Sequence, residues 1–472
     1  MKAILPVLDD SRNTPYYQQL YSYIKNAIMS GEMSEGEKLP SLRSLSGSTG
    51  LSVTTVEQGY NQLLVEGYIT AKPQSGYYVS RVLAEAKQTV PAVSDILTHE
   101  VSLLGDSAKA DSPAMQYDPE CFDFNKWKKC MNRILTDFSP ALFFESDPQG
   151  EAGLRTEIAR YLYMSRGVSC SPDQIIIAAG TQQITNHLAT LLRRQGVEHV
   201  ALENPGYMPV RNIFRDRGFA ITPVDVRENG LAIEKLPANI RAATYVSPSN
   251  HAVTGAVMPI GRRYELLNWA DANDSYIIED DYDSELRYSG RPIPALKSLQ
   301  GSDRVVYLSS FSSTLFGAVK ISYMILPASM AGDFSSIASG YSQTCSKLEQ
   351  LTLAMFMETG YYQTHIKKIR KLYSHKLACL VDEFQKKSSG RIEVINTLSG
   401  SNVILQIHSG KPAKQLKKDA ESLGIPSVFP GNVPAASDDS RKGSARLVIY
   451  YNQIPLRDIP DVVDRLVGLW LC

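Results

Sequence analysis

Residues 36–79 constrain the fold of this chain more than any other stretch, and they read GEKLPSLRSLSGSTGLSVTTVEQGYNQLLVEGYITAKPQSGYYV. The pattern predicts a helix over about residues 41–48, after which Gly50 makes a turn. Ser52 has the side chain of a helix N-cap and begins a second helix that runs to about Glu66. Two short helices joined by a tight turn are typical of a helix-turn-helix.

The second helix has one apolar and one polar face. Residues at helical spacing form the inward face: Val56, Tyr60, Leu63 and Leu64. The free face is polar: Thr54, Thr55, Gln58 and Asn61. Gly67 ends the helix, and we expect two wing strands, at 68–70 and 77–80, around a turn at 73–76. Such a winged helix-turn-helix lays its second helix in the major groove of DNA. A small helical domain of another purpose is the alternative.

Several short motifs of this segment occur in the order of a known family. They are LPSLR, LSVTTV, GYNQLLVEGY and the final strand GYYV. Over about 70 residues from near Pro15, the segment resembles the GntR-type winged helix. Typical members carry an arginine where this chain has Val53, and often a second basic residue where it has Glu57.

The N-terminal 80 residues are not basic. They contain six Lys and Arg against seven Asp and Glu, so neutralisation of DNA phosphates must be modest and local. The candidate DNA contacts are Arg43, Lys72 and the backbone around Gly76 for phosphates, and Ser52, Thr54 and Thr55 for base edges or phosphates. Because one weak module holds DNA poorly, we expect a homodimer whose two tethered modules bind double-stranded DNA with two half-sites.

Composition sets the broader class. The 472 residues predict two or three domains, and 43% hydrophobic with 21% charged residues is ordinary for a globular protein. The formal net charge of zero argues against general polyanion binding but leaves room for a local DNA-binding patch. Six cysteines without a Cys-x-x-Cys pair suit a reducing compartment. No leader peptide or membrane-length apolar run is found, so we expect a cytoplasmic protein.

The pattern changes along the chain. We expect a DNA-binding domain at residues 1–80, a linker rich in Ala, Ser, Asp, Thr and Pro at 81–117, and a larger domain at 118–472. In the larger domain, helices such as 182–192 and 260–272 lie between short β-branched strands. The expected strands are 174–178, 199–202, 243–246, 275–279, 304–308 and 321–326. This alternation predicts a mostly parallel sheet covered on both faces, followed by a smaller α+β lobe from about residue 372.

The larger domain also resembles a known family. The motifs that carry the resemblance are DPQGEAGLRTEIARYL, RGVSCSPDQIIIAAGTQQ, LENPGYMPV, YIIEDDYDSELRY, SSFSSTLFGAVKISYMILP and ARLVIYYNQ. Their order over residues 122–451 is similar to that of α/β fold-type I aminotransferases dependent on pyridoxal 5'-phosphate. IIEDDYDSELRY together with GTQQ resembles the version fused to GntR winged helices, the MocR/GabR regulators. The resemblance implies pyridoxal phosphate as cofactor and a dimer.

The resemblance assigns roles to individual residues. Gly180, Thr181 and Gln182 open a helix after a strand and suit a phosphate, although an ordinary strand-to-helix turn has the same pattern. Asp280 would face the pyridine nitrogen of the cofactor. The alternative is that Asp280 is a strand-end carboxylate that caps a loop. The other implied contacts are Tyr282 at the ring hydroxyl, Tyr207 stacked on the ring (or a core tyrosine), Ser310, Ser312 and Lys320 around the cofactor, and Arg446 on the carboxylate of an amino-acid effector (or a surface arginine).

The departures from the family concentrate at the cofactor. The lysine that forms the family's Schiff base is matched by Ser313, and a hydroxyl cannot form an imine. The usual phosphate-binding arginine is Lys320, which keeps the charge but loses the bidentate fork. Glu145 replaces an aromatic residue, and the loop at 248–255 is altered in its centre. Ordinary transamination is therefore not expected, because the same lysine also transfers the proton.

Three readings remain for the whole chain. The first is a DNA-binding transcriptional regulator whose aminotransferase-like domain senses a small amino acid or amine, without transaminase turnover. The others are an active pyridoxal-phosphate enzyme with an appended DNA-binding domain, and a degenerate regulator without cofactor. Ser313 favours the first over the enzyme, which would need Lys297 or Lys320 to reach a bound aldehyde. We interpret His251 as structural, and the basic run at 365–371 as a solvated face or a contact with flanking DNA.

Overall fold

The computed structural model describes residues 14–80, 118–288, 293–425 and 444–471, with short pieces at 93–94, 97–98 and 427–428. The chain divides into two compact units, Met1–Glu100 and Val101–Cys472. The expected linker at 81–117 lies outside the described residues apart from the two short pieces.

The N-terminal unit has the predicted winged helix-turn-helix order. Its elements are helices α1 (Tyr16–Met29), α2 (Leu42–Thr49) and α3 (Val53–Val65), and strands β1 (Ile69–Lys72) and β2 (Gly76–Val79). The two strands pair antiparallel, as a wing requires. Ser41 and Ser52 cap α2 and α3, and Gly50 adopts φ 73° at the end of α2. The predicted helix ends are confirmed to within one residue.

The apolar face predicted for α3 forms the core of this unit. Val56, Tyr60 and Leu63 are fully buried against Leu20 and other residues of α1. Gly59 is required at the crossing, because a Cβ there would lie 3.2 Å from a carbonyl oxygen of α1. The DNA-facing side of α3 is thereby held on a rigid support.

The larger unit is built on an eight-stranded sheet with the order β3-β10-β9-β8-β7-β4-β5-β6. The strands are β3 (Ile175–Ala179), β4 (His199–Asn204), β5 (Ala220–Arg227), β6 (Gly230–Leu231), β7 (Ala242–Val246), β8 (Tyr276–Asp280), β9 (Val305–Ser310) and β10 (Ile321–Ile325). The neighbours from β9 through β8, β7 and β4 to β5 are parallel, whereas β10 and β6 pair antiparallel. All six predicted strands are confirmed, with ends shifted by up to two residues. Strands β5 and β6 were not predicted.

Helices cover both faces of this sheet, as the sequence predicts. They are α4 (Phe124–Asp137), α5 (Ala152–Arg166), α6 (Gly180–Arg194), α7 (Met208–Asp216), α8 (Ile260–Ala272), α9 (Ala328–Ala338) and α10 (Lys347–Glu358). Side chains alternate along β3: Ile175 and Ile177 join the core on one face, while Ile176 and Ala178 join the core on the other. Two buried faces explain why these strands are almost continuously apolar.

The C-terminal lobe begins earlier than expected, because its long helix α11 (Tyr361–Lys387) starts at Tyr361. A four-stranded antiparallel sheet follows, in the order β11-β12-β14-β13. Its strands are β11 (Ile392–Ile395), β12 (Val403–His408), β13 (Ser427–Val428) and β14 (Ser444–Ile449), and its other helices are α12 (Ala413–Ser422) and α13 (Ile459–Leu471). The prediction of a smaller α+β lobe is confirmed.

Two further properties concern the described part of the chain. None of its helices combines the length and hydropathy needed to span a bilayer. Its cysteines are free thiols, of which Cys130 and Cys345 are buried. Cys472 lies outside the described residues.

Candidate DNA-binding surface and ligand pocket

The start of α3 presents fewer free hydroxyl groups than the sequence suggests. The Ser52 hydroxyl accepts the Thr55 N–H at 3.1 Å and shares a 2.8 Å hydrogen bond with the Thr55 hydroxyl. Both hydroxyls therefore serve the helix cap. Thr54 is exposed beside Val53, and Arg43 is exposed on α2. Among the three predicted hydroxyl contacts, Thr54 is the one that lies outside the cap.

The wing holds a pair of lysines around one tyrosine. The Nζ atoms of Lys72 and Lys38 lie 4.6 Å and 5.8 Å from the centre of the Tyr78 ring. Gly76 adopts φ 110° in the turn beside them. Lys38 was not among the predicted contacts. It reaches the wing through an isolated β-bridge to Tyr78, which the sequence alone does not reveal. Two cations at the wing partly compensate for the low overall charge of the unit.

A carboxylate cluster lies at the carboxyl end of the parallel strands. Asp280 ends β8 and accepts a 2.5 Å hydrogen bond from the Tyr245 hydroxyl. Burial, reinforced by the neighbouring Glu203, raises the pKa of Asp280 to about 7, although the Tyr245 hydrogen bond opposes the rise. Burial also raises the pKa of Glu203 to about 8. Within the described ranges, neither carboxylate has a Lys or Arg nitrogen within 4.0 Å. A cation at this end of the sheet, Arg166, is paired with Asp281 instead, at 2.7 Å.

Tyrosines surround the cluster. Tyr207 remains half exposed just before α7, and its pKa is raised by burial and by the Asp280 carboxylate, which places the two near each other. The Tyr282 hydroxyl lies 3.3 Å from the Ser401 hydroxyl, and the Ser401 N–H donates to Asp283 at 2.9 Å. Tyr282 is therefore oriented by the C-terminal lobe. Its predicted role at a ring hydroxyl stays a prediction.

The predicted phosphate site is the start of α6. Gly180 begins this helix with φ 81°, Thr181 and Gln182 follow, and no side chain caps the helix. The preceding Ala179 N–H is bonded to Thr344 at 3.0 Å. The uncapped N–H groups and the positive end of the helix dipole suit an anion.

The loop after β9 carries Ser313, the residue that the sequence predicts to hold the position of the family's lysine. The Ser312 hydroxyl donates to the Val319 carbonyl at 2.8 Å, and the Ser312 N–H donates to the Ser310 hydroxyl at 3.3 Å. These bonds hold the loop closed on itself. Ser313 is half-buried, and its hydroxyl lies near enough to Asp283 to lower the pKa of that carboxylate, which burial raises. Lys320 is exposed.

Two predicted candidates lie apart from this group. Arg446 is exposed on β14 and donates to Gln406 of β12 at 2.7 Å, so its described partner is not a residue of the pocket. The Lys297 amine donates to the Val305 carbonyl at 2.7 Å, at the beginning of β9. Because β8 and β9 are parallel, that point is at the opposite edge of the sheet from Asp280. Lys297 therefore does not replace the missing lysine.

His251 is held as a structural residue. Its Nε2 lies 3.0 Å from the Pro205 carbonyl, and its Nδ1 accepts the Thr254 N–H at 3.1 Å. Burial lowers its pKa to about 4. A neutral imidazole that bridges two loops is consistent with the predicted structural role.

Comparison with known proteins identifies the families of both parts of the chain. Residues 16–79 match "Bacterial regulatory proteins, gntR family", and residues 115–441 match "Aminotransferase class I and II". The chain is 36% identical to the HTH-type transcriptional regulator YdeL of Bacillus subtilis over 99% of both chains. It is 31% identical to the pyridoxine biosynthesis regulator PdxR of Corynebacterium glutamicum, covering 84% of this chain and 85% of PdxR. It is 29% identical to the probable rhizopine catabolism regulatory protein MocR of Rhizobium meliloti, covering 89% and 87%.

The chain belongs to the MocR/GabR-type regulators of the gntR family. It is thus a DNA-binding transcriptional regulator with an aminotransferase-like domain. The fold of that domain is shared with an archaeal alanine:glyoxylate aminotransferase, with a TM-score of 0.66 and 21% identity over 80% of this chain and 95% of that one. LysN, an α-aminoadipate aminotransferase of Thermus thermophilus, has a TM-score of 0.64 and 22% identity, covering 79% and 94%. At these identities the likeness concerns the fold alone.

The MocR-type fold implies pyridoxal phosphate, and the residues present fit part of that cofactor. Asp280, with its raised pKa and without a cationic partner, suits a protonated pyridine nitrogen. The uncapped start of α6 suits the phosphate. Ser313 offers no amine for covalent attachment. The pocket therefore fits a phosphorylated pyridine that is held without a covalent bond.

Proposed function

We propose that this regulator is a cytoplasmic homodimer whose aminotransferase-like domain senses a small amine or amino acid and transmits its presence to the winged helix. The sensing requires no transaminase turnover. Ser313, at the position of the family's lysine, carries this proposal, because the pocket around it keeps Asp280 and the free end of α6 while the reactive amine is gone.

Each residue has a role that follows from its chemistry. Asp280 would hold a protonated ring nitrogen, since a positive ligand offsets the cost of ionising a carboxylate whose pKa is about 7. Tyr245 orients that carboxylate through its hydrogen bond, and Tyr207 offers a half-exposed aromatic face. Gly180–Gln182 with Lys320 would receive a phosphate. When bound, pyridoxal phosphate supplies an aldehyde that reacts with amines and a ring that accepts electrons.

Turnover fails for two physical reasons. A serine hydroxyl forms no imine, so the cofactor would have no covalent anchor. The lysine amine would also transfer the proton at the reacting carbon, and a neutral hydroxyl is a poor base because its protonated form is a far stronger acid than a lysine ammonium group. Lys297 is bound to carbonyl oxygens at the opposite edge of the sheet. Lys297 is therefore not placed to act instead of Ser313, and Lys320 is exposed and is assigned here to the phosphate.

Exposed apolar side chains support the homodimer. Phe143 and Phe144 are 90% and 72% exposed, and Tyr163 and Met164 on α5 are 64% and 79% exposed. Two large hydrophobic residues that are neighbours in sequence and both exposed are unusual for a monomer. Each of these pairs therefore marks a surface for association. The low charge of the winged helix supports the same conclusion, because two tethered modules raise affinity through effective concentration.

The cofactor-free regulator remains the second candidate, and Arg446 favours it. Its guanidinium group is exposed and paired with Gln406, whereas the resemblance would place it on the carboxylate of an effector. A regulator without cofactor would bind an effector elsewhere or respond to none.

Titration of the full-length protein with pyridoxal phosphate decides between these candidates. We expect a saturable change in the visible absorbance that dialysis reverses and that borohydride does not fix to the protein. Binding to a promoter fragment should change when an amine is added together with the cofactor. Saturation that borohydride makes permanent would support the enzyme reading. No spectral change at millimolar pyridoxal phosphate would support the cofactor-free regulator.

A further inference from the structure

One face of α11 is basic and borders a pocket outside the aminotransferase-like site. The pocket has a volume of about 270 Å³ and is lined by Tyr288, Lys367, Arg370, Lys371, Ser374 and His375. Five of these residues are at helical spacing and so share one side of α11. None of them belongs to the Asp280 group or to the start of α6.

The cations of this pocket have no acidic partners. Lys367, Lys371 and His375 are exposed, and in the described ranges none of them, nor Arg370, has an Asp or Glu oxygen within 4.0 Å. Glu285 contributes its backbone carbonyl to this pocket, whereas its buried carboxyl interacts with Asp281 and Arg166. The three positive charges of Lys367, Arg370 and Lys371 repel one another, and a bound anion would relieve that repulsion.

The geometry of the pocket is fixed in advance. The Arg370 Nε donates to the Glu285 carbonyl at 3.0 Å, which holds the guanidinium group at the wall. Tyr288 donates to the Gly400 carbonyl at 2.6 Å and accepts a hydrogen bond from Tyr451 at 2.7 Å, so its ring forms a rigid side. A pre-positioned guanidinium fork beside two lysines is the donor set that recognises phosphate oxygens.

We infer that this pocket, named here the α11 pocket, binds phosphate groups whose combined charge is two or more negative charges. Two sources supply that chemistry: a small phosphorylated molecule, or the backbone of bound DNA. The second source is relevant because the N-terminal 80 residues contain one more acidic than basic residue. A free molecule must fit within about 270 Å³, which admits a pyrophosphate or the terminal phosphates of a nucleotide.

Calorimetric titration of the full-length protein with inorganic pyrophosphate tests the inference. The Lys367→Ala/Lys371→Ala protein should bind pyrophosphate at least ten-fold more weakly, and Lys367→Arg/Lys371→Arg should retain binding. Lys128→Ala/Lys129→Ala is the matched control, since it removes two exposed lysines of α4 and changes the net charge equally. Lys320→Ala tests whether pyrophosphate binds at the start of α6 instead. Binding at the α11 pocket should be unchanged in this variant.

The same variants distinguish the two phosphate sources. If the affinity for a random DNA duplex falls in Lys367→Ala/Lys371→Ala and not in the control, the phosphates are those of DNA. If duplex affinity is unchanged while pyrophosphate binding is lost, the ligand is a small molecule. The inference is overturned if wild-type protein binds no pyrophosphate at millimolar concentration, or if the control loses as much binding as the pocket variant.

Discussion

The Tyr245 hydroxyl donates a 2.5 Å hydrogen bond to the Asp280 carboxylate at the end of β8. This pair joins two neighbouring parallel strands near their carboxyl ends. The bond stabilises the ionised carboxylate, yet burial and Glu203 still raise the pKa of Asp280 to about 7. In the ligand-free site, ionisation of the Asp280 carboxyl therefore costs free energy. A ligand with a positive charge would offset that free energy.

The first prediction concerns the pH dependence of stability. Because the pKa of Asp280 is raised above its ordinary value of about 3.9, ionisation in the folded protein lowers stability as pH rises towards about 7. Asp280→Asn removes this loss. The free energy of unfolding of the variant, relative to that of wild type, should increase by about 1–3 kcal/mol from pH 5 to pH 8. This range is lowered because the Asp280 residue is partly exposed. Calorimetric melting of ligand-free protein measures it, with exposed Glu228→Gln as control. A difference from wild type that is the same at both pH values would contradict the raised pKa.

The second prediction restores the missing amine. Ser313→Lys should give a yellow protein with pyridoxal phosphate, and borohydride should fix the cofactor to residue 313, because an amine there can form an imine while Asp280 and the start of α6 are unchanged. Mass spectrometry of peptides locates the adduct. Ser335→Lys, which adds a lysine on exposed α9, should remain colourless. A borohydride-stable adduct on any lysine of the wild-type protein would refute non-covalent binding.

The third prediction concerns the wing. Lys38→Ala and Lys72→Ala should each weaken binding to all DNA sequences by a similar factor and reduce the salt slope by about 1, since we expect both lysines to contact phosphates. Thr54→Ala should cost roughly 1–3 kcal/mol on the operator and little on random DNA if Thr54 contacts a base. Fluorescence anisotropy at several salt concentrations separates these effects. Lys129→Ala, on α4, controls for the loss of one charge.

The fourth prediction concerns assembly. Light scattering should report a mass near twice 52.2 kDa for the wild-type protein. Phe144→Asp should yield monomers, because it places a charge among exposed apolar side chains that we assign to the dimer interface. Val65→Asp alters a residue that is 86% exposed in the winged helix and should leave the dimer intact. A wild-type monomer at micromolar concentration would rule out the homodimer.

Local signals in the sequence were sufficient for most elements. Ser41, Ser52 and Gly50 end or begin helices through bonds within a few residues, so their effect is visible in the sequence alone. Strand β5 escaped prediction because its side chains are mostly half-buried and Pro223 interrupts its β-branched pattern. The C-terminal lobe was placed too late, at about residue 372, because its long helix begins at Tyr361 without a side-chain cap to mark the start.

Contacts between distant segments account for the errors at the sites. Lys38 reaches the wing through a bridge to Tyr78, forty positions later in the chain. Thr55 is an exception, because its bond to Ser52 is local; that bond takes Thr55 into the cap of α3 and makes it less available to DNA than its place on the polar face suggests. Arg446 pairs with Gln406 because the register of β12 and β14 sets the two opposite each other.

By itself, the sequence determined that a winged helix is joined to an aminotransferase-like domain, and it predicts that Ser313 holds the position of the reactive amine. Those conclusions depend on residue types and spacing, which the chain carries locally. The tertiary structure decided that Glu203, Tyr245 and Asp280 meet without a cation and that α11 presents unpaired positive charge. The physical reason is that the free energy of a charge depends on burial and on neighbours, and strands far apart in sequence supply both.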